Sequence, residues 1–491
     1  MSVARRELPA AAESIPRPED HVIVLFGATG DLARRKLLPG LFHLDEAGLM
    51  PERYRVVGTG RDHIDDDEFR DLARMAVSEF ARKPPSDQAW TRFAPQLTFV
   101  GTGDGLGALR DQVAEAAAEV GGQPRFLHYL SVPPAASPSI VEELGELGLN
   151  DRARVIMEKP FGTDLESARQ LNETVHSVFD ESQVFRIDHF LGKEAVQNLL
   201  ALRFANGMFE PIWNRNHIDH IQIDVPETLS IGTRAGFYEG TGAFRDMVVT
   251  HLFQVLAFVA MEPATALAPE PLIAEKRKVF ESMRPVRPED VVRGQYEGYR
   301  EEEGVAPDSD TETFIALRAW VNNWRWADVP FFLRTGKRIA QGAHLLTIAF
   351  RPPPRRMFPT DCRYVAESFG TDHLTFELGD PGSISANFLA KVPGSKLELG
   401  EAHMDFSYVD AFGGVEHALE AYERLLHDVM LGDRTLFVSA GGIERLWEIS
   451  AAVLEDPPRL ERYPVGSWGP QAAEELIAPR RWHLPGHVVI Q

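Results

Sequence analysis

The chain has 491 residues, enough for two or three domains, and its 44% hydrophobic and 25% charged residues are those of a soluble globular protein. A formal net charge of −22 argues against nucleic acid and anionic membrane as partners, so any local basic pocket would point to a small anionic ligand. The only cysteine, Cys362, excludes a disulfide framework within one chain and a cysteine-based zinc site, and it suits a reducing compartment.

In chain order, Met1–Asp20 has Arg5, Arg6 and Glu7 with no apolar stretch behind them, unlike a secretory signal. Its Pro9, Pro16 and Pro18 predict a loose tail over 1–20. Apolar runs then alternate with helical stretches. Strands are predicted over His21–Phe26, Arg55–Gly58, Leu97–Val100, Arg125–Val132, Arg154–Glu158 and Val184–Ile187. The helices between them are Asp31–Gly48, Asp66–Arg82, Gly105–Val120, Ser137–Leu147 and Asp164–Phe179, the last with a Thr163/Glu166 capping box. Strands apolar throughout and separated by helices predict a parallel, doubly wound Rossmann-like α/β domain over 21–187.

Beyond residue 188 the pattern changes. A helix from Gly192 to Phe204 precedes strands at Ile218–Val225, Thr313–Trp320, His344–Phe350, His373–Leu378, Ser383–Val392 and Lys396–Phe406. Further helices are predicted at Phe244–Ala260, Gly414–Met430 and Ala440–Leu454, and polar Arg293–Asp310 reads as a surface excursion. This makes 188–491 an α+β substrate-binding and oligomerisation domain with a large, mainly antiparallel sheet. The apolar Met247–Met261 is too short to span a membrane and carries His251 and Gln254, so it reads as a buried helix, and the expected location is cytoplasmic.

The first strand runs into Gly27-Ala28-Thr29-Gly30-Asp31-Leu32-Ala33-Arg34, a glycine turn opening a basic helix. Glycine lets a pyrophosphate approach the backbone, and the helix start offers unpaired N–H groups. The turn lacks the full G-x-G-x-x-G pattern, and its weight comes from its place after the first buried strand. The second strand ends in Arg61, which suits a ribose 2′-phosphate and favours NADP, although the adjacent Asp62 keeps NAD open. Tyr129, at the end of the fourth strand, is a further cofactor candidate.

Two basic turns, Glu158-Lys159-Pro160-Phe161-Gly162 and Arg186–Glu194 (RIDHFLGKE), close the fifth and sixth strands. If a helix has begun by His189, that residue and Lys193 share a face, and cations at a helix start make sense when an anionic phosphate sits there. His251 is a candidate proton acceptor for alcohol oxidation and needs an orienting carboxylate. Asp246 lies five residues away, about 140° around an α-helix, so Asp188, arriving from the other domain, is the better partner. No His, Cys or carboxylate spacing resembles a metal site, and none is needed when a dinucleotide accepts hydride.

Taken together, GATGDLARRKLLP, YLSVPP, EKPFG, RIDHFLGKE, FRDMVVTHLFQ, LRTGK and GSWGP resemble the glucose-6-phosphate dehydrogenase family along nearly the whole chain. The resemblance implies oxidation of glucose 6-phosphate at C1 to 6-phosphogluconolactone with NADP, the first step of the oxidative pentose phosphate pathway. It implies His251 as general base, Asp188 as its orienting carboxylate, and His189 and Lys193 as phosphate ligands. Glu227, Asp246 and Lys337 would hold the sugar, and Lys159 would lie near both sugar and cofactor. Gly27–Arg34, Arg61 and Tyr129 would form the cofactor site, and the assembly would be a homodimer or homotetramer built on the large sheet. Two residues depart from the family pattern. Phe190 stands where Tyr is usual, and Arg338-Ile339-Ala340-Gln341-Gly342 lacks the usual second basic residue, for which Arg338 could compensate. We therefore expect ordinary hydride chemistry with altered phosphate affinity. The alternatives are a dehydrogenase for another hexose phosphate or a free hexose, and a catalytically silent NADPH or sugar-phosphate sensor. The joint presence of Asp188, Lys159 and His251 argues against the sensor, which needs no proton acceptor.

Overall fold

The computed structural model describes residues 17–355, 357–358, 372–379, 382–412 and 419–484. Cys362, most of the expected N-terminal tail and the first residues of the expected helix Gly414–Met430 lie outside them. The chain divides into two compact units: Met1–Glu158 with Thr174–Ile187 and Tyr422–Arg434, and Lys159–Glu173 with Asp188–Ala421 and Thr435–Gln491.

The first unit is built on β1 (His21–Phe26), β2 (Tyr54–Gly60), β3 (Leu97–Gly101), β4 (Arg125–Leu130), β5 (Ala153–Met157) and β6 (Val184–Arg186). All pairs are parallel, in the order β3-β2-β1-β4-β5-β6, the doubly wound arrangement whose ligands sit at the carboxyl ends of the strands. β1 is buried at every position, which explains the apolar run Val22–Phe26 behind His21. β4 stops at Leu130, short of Val132, where Ser131 N, besides its 3.1 Å bond to Phe26 O of β1, turns back to Tyr129 O at 3.2 Å. The helix Asp66–Phe80 is fixed by a reciprocal cap: Asp65 accepts from Glu68 N at 2.9 Å, and Glu68 accepts from Asp65 N at 3.0 Å. The chain-order reading assigned all of 188–491 to the second domain, yet Tyr422–Arg434 belongs to the first unit. There Arg154 donates to the final carbonyls of Ala421–Leu431, at Val429 (2.6 Å) and Met430 (2.7 Å).

The second unit carries a nine-stranded sheet. Its strands are β7 (Ile218–Pro226), β8 (Val291–Tyr296), β9 (Phe314–Trp320), β10 (Pro330–Gly336), β11 (Leu345–Phe350), β12 (His373–Glu377), β13 (Ser383–Lys391), β14 (Leu399–Ser407) and β15 (Leu460–Tyr463). The order is β14-β13-β12-β11-β7-β10-β9-β8-β15, antiparallel except for β10 on β7 and β15 on β8. The sequence reading did not single out β10, where Arg334 interrupts the apolar run; Arg334 donates to the facing Asp224 at 2.9 Å, both side chains being buried.

Two sequence expectations are corrected. The strand Val291–Tyr296 takes in the first residues, Arg293–Tyr296, of the expected surface excursion Arg293–Asp310. Its polar residues are buried: Arg293 donates to Asp310 O at 2.9 Å, and Gln295 to Thr311 O at 2.8 Å. Polarity there marks pairing with loop carbonyls, not exposure to water. The helix Leu165–Val178 is capped by Asp164, which accepts from Ser167 N at 2.8 Å, and Glu166 binds Gln170 at 2.7 Å instead of closing a box with Thr163. Asp is the stronger N-cap of the two. The apolar stretch Ala235–Ala260 is long enough to cross a membrane, but 89% of its most apolar window is buried inside the structure, as in a core helix.

Candidate active site

At the carboxyl end of β1 the chain enters the glycine turn. Gly27 has φ +72, and a Cβ there would stand 2.1 Å from Ser131 O, so only glycine fits. Thr59 O holds the turn by accepting from Gly27 N (2.8 Å) and Ala28 N (3.1 Å), and Gly30 N returns to Gly27 O at 2.9 Å. Ala28 is buried, whereas Gly27, Thr29 and Gly30 are partly open. Asp31 and Leu32 begin the helix, Ala33 is buried beneath it, and Arg34 is half-buried. The Thr29 hydroxyl donates to Asp62, so the carboxylate that could bind a ribose hydroxyl already has a partner. Arg61 is exposed, and among the described residues neither it nor Arg34 has an ion-pair partner. Tyr129 is buried and donates to Glu158 at 2.5 Å; burial and that carboxylate push its phenol well above the ordinary range.

The second unit gathers the polar residues of the two basic turns. Lys159 Nζ lies 2.7 Å from Asp246 Oδ1 and 2.8 Å from His251 Nε2, while His251 Nδ1 lies 2.6 Å from Asp188 Oδ1. Asp188 thus falls in the same unit as His251. The 140° separation expected for Asp246 and His251 is overturned, because Phe244–Leu252 is π-helical. In a π-turn the backbone bond joins residues five apart, which stacks them on one face, so both reach the same lysine.

This geometry fixes a tautomer. A carboxylate only accepts, so Nδ1 carries the proton and Nε2 presents a lone pair. Burial lowers the His251 pKa, Asp188 pulls it back up, and Lys159 lowers it further, with a net downward shift. Burial would raise the Asp188 carboxyl, but His251 and the 2.9 Å bond from Phe190 N outweigh it and keep it ionised. Phe190 stacks on His251, with centroids 4.6 Å apart and planes 22° apart, and His189 meets the same imidazole edge-on at 4.8 Å. Asp188, His189 and His251 bring possible metal-ligand atoms within 4.8 Å of one another, but Nδ1 faces Asp188 and an ammonium occupies Nε2.

His189 and Lys193 do not share a helix face. The helix starts at Glu194, with Lys193 as its N-cap residue, and residues 188–193 form turns closed by Leu191 N to Asp188 O at 3.0 Å. Lys193 Nζ lies 4.5 Å over the Phe190 ring and 3.4 Å from His344 Nδ1. Glu227 and Lys337 meet because β7 and β10 run parallel with Pro226 facing Gly336, so the next residues leave the sheet side by side and pair. Arg338 is exposed with φ +55 and makes no side-chain hydrogen bond or ion pair among the described residues. His344, beside Lys193, and Lys276, whose charge is felt by Asp188, are two further titratable groups near these residues that the sequence does not single out. Lys276 is buried with Nζ 5.1 Å from the Phe258 ring centroid, and burial pushes its pKa down to about 8 against the pull of Asp188. No spacing in the sequence announces either residue.

Residues 24–198 match the family described as "Glucose-6-phosphate dehydrogenase, NAD binding domain", and residues 200–483 match "Glucose-6-phosphate dehydrogenase, C-terminal domain". The chain belongs to the glucose-6-phosphate dehydrogenase family. Among relatives in this family, glucose-6-phosphate 1-dehydrogenase 2 of Mycobacterium tuberculosis is 41% identical over 489 residues, covering 94% of each chain. The glucose-6-phosphate 1-dehydrogenase of Aggregatibacter actinomycetemcomitans is 40% identical, covering 96% of this chain and 98% of its own. The crystal structure of glucose-6-phosphate 1-dehydrogenase from Mycobacterium avium aligns with a TM-score of 0.84 at 38% identity, over 95% of this chain and 99% of that one. A glucose-6-phosphate dehydrogenase in complex with its substrate glucose-6-phosphate aligns at 0.86 and 31% identity, with the same coverage. A nicotinamide cofactor follows from the first domain of this family, and the glycine turn, which a single Cβ would fill, fits one.

Proposed function

We propose that the chain oxidises C1 of glucose 6-phosphate to 6-phosphogluconolactone, with NADP as the preferred acceptor. The observation that carries this reading is His251, whose Nδ1 is held by Asp188 at 2.6 Å, so that Nε2 carries the lone pair, which accepts from Lys159 at 2.8 Å in the structure. The bound nicotinamide supplies the hydride acceptor. His251 takes the C1 hydroxyl proton at Nε2, and Asp188 holds the ring and stabilises its charged form. Lys159 moves from Nε2 to the sugar oxygen as substrate enters. Asp246, Glu227 and Lys337 accept from or donate to the sugar hydroxyls, while His189 and Lys193 bind the phosphate.

Gly27, Ala28, Thr29, Gly30, Asp31, Leu32, Ala33 and Arg34 hold the dinucleotide at the helix start, with Tyr129 and Lys159 nearer the ring. Arg34 and Arg61 bind the 2′-phosphate; the engagement of Asp62 by Thr29 supports NADP over NAD. The enzyme assembles as a homodimer or homotetramer through the large sheet, a reading supported by Leu389 on β13 and Met404 on β14, which are 42% and 63% exposed.

Absorbance at 340 nm, followed with glucose 6-phosphate or glucose and with NADP⁺ or NAD⁺, tests the substrate and cofactor together. We expect kcat/KM to be highest for glucose 6-phosphate with NADP⁺. A preference for unphosphorylated glucose would overturn the substrate reading, a preference for NAD⁺ the cofactor reading, and no turnover with any pair would favour a sensor.

A further inference from the structure

The segment after Lys337 carries no lysine or arginine at Ile339-Ala340-Gln341-Gly342, and Arg338 is exposed without a side-chain partner among the described residues. The next basic side chain is His344, immediately before β11. Its backbone is pinned, because Leu378 N donates to His344 O at 2.6 Å. Its Nδ1 stands 3.4 Å from Lys193 Nζ, and its ring lies 5.9 Å from that of Phe190, over which Lys193 also sits. Lys193, Phe190 and His344 therefore form one continuous wall.

An ammonium group can only donate, so Lys193 makes Nδ1 the acceptor and places the imidazole proton on Nε2. The charged groups facing His344 are Lys193 on one side and Glu227, paired with Lys337, on the other. Burial first, and Lys193 second, hold its pKa at about 4, so the imidazole is neutral and keeps its Nε2–H at neutral pH.

We propose that His344 is a phosphate-binding residue, donating its Nε2–H to the phosphate of the substrate beside Lys193 and His189. This rests on the phosphate assignment of Lys193 and His189 above. His344 thus supplies a second donor beside Lys193, as a neutral N–H, where Ile339-Ala340-Gln341-Gly342 offers no lysine or arginine. It comes after that stretch in the chain, immediately before β11, with its Nδ1 3.4 Å from Lys193 Nζ.

The test compares wild type, His344→Ala and His344→Gln, with thermal melts to establish folding. The readouts are KM for glucose 6-phosphate, KM for NADP⁺, kcat, and the inhibition constant of inorganic phosphate. A hydrogen bond to a charged group predicts that His344→Ala raises the sugar-phosphate KM and the phosphate inhibition constant together, by about 10- to 100-fold. The expected kcat and cofactor KM stay within about twofold. Gln, whose amide can donate, recovers a large part of the loss. Unchanged values for both phosphate readouts, or a fall in kcat with KM unmoved, would overturn the proposal. So would equal losses in both variants that extend to cofactor KM. If wild type turned over no glucose 6-phosphate, the reading beneath would fail, and calorimetric binding of inorganic phosphate to the same three proteins would still decide the role of His344.

Discussion

His251 can accept a proton only if its Nε2 lone pair is bare when the sugar hydroxyl arrives. In the structure Lys159 occupies that lone pair at 2.8 Å, and its charge lowers the imidazole pKa. A base works deprotonated, so activity is lost as pH falls through its pKa. The downward shift places the acid limb of kcat/KM below about 6.5. Lys159→Met removes the lowering charge, so the acid limb of its residual activity moves to higher pH; an unmoved limb in a pH–rate profile would mean that His251 is not the titrating base. Asp188→Asn acts differently. An amide nitrogen facing Nδ1 favours the tautomer with the proton on Nε2, and we expect kcat to fall by about 10²- to 10⁴-fold with KM changed little. A loss in KM alone would assign Asp188 to binding instead.

At the scale of elements, the glycine turn belongs to the first unit and the π-helical segment to the second. Gly27→Ala would place a methyl 2.1 Å from Ser131 O at a φ of +72. We expect cofactor KM to rise at least about tenfold, with a melting temperature lower by several degrees. A variant with unchanged cofactor KM would remove the turn from the cofactor site. The turn was legible in the sequence because its signal is local: buried strand, glycines, basic helix. The π-turn was not. Nothing in FRDMVVTHL marks a wider helix, so a 3.6-residue helix separated two residues that in fact share Lys159. The pairing of Glu227 with Lys337 was illegible for another reason, since it depends on the register of two parallel strands far apart in sequence. His344 and Tyr422–Arg434 escaped likewise, because only tertiary folding brings them to their neighbours.

For the whole molecule, the first unit contains a built-in sensitivity to acid. His21 on β1 and His128 on β4 are fully buried, and burial holds both at about 4, well under the ordinary 6.5. His128 Nε2 donates to Leu149 O at 2.7 Å, which leaves Nδ1 bare in a site where a proton would find no acceptor. The unfolded chain binds these protons near pH 6.5 and the folded chain only near 4. Stability is therefore intact above 6.5 and falls as pH drops towards 4, by up to roughly 3 kcal/mol for each histidine. Urea midpoints measured at pH 7.5, 6 and 5 should decline steadily, and His128→Gln should flatten the decline. A midpoint independent of pH across that range would contradict the buried neutral histidines. This feature was also invisible in HVIVLF and RFLHYL, where a histidine within a β-strand reads as exposed as readily as buried.

The central claim, that His251 removes the sugar proton while Asp188 orients it, is tested most directly by the turnover of His251→Asn with glucose 6-phosphate and NADP⁺. The account predicts a fall in kcat of at least about a hundredfold with KM for glucose 6-phosphate within a few fold of wild type. A variant that folds normally and keeps kcat within about tenfold would contradict it.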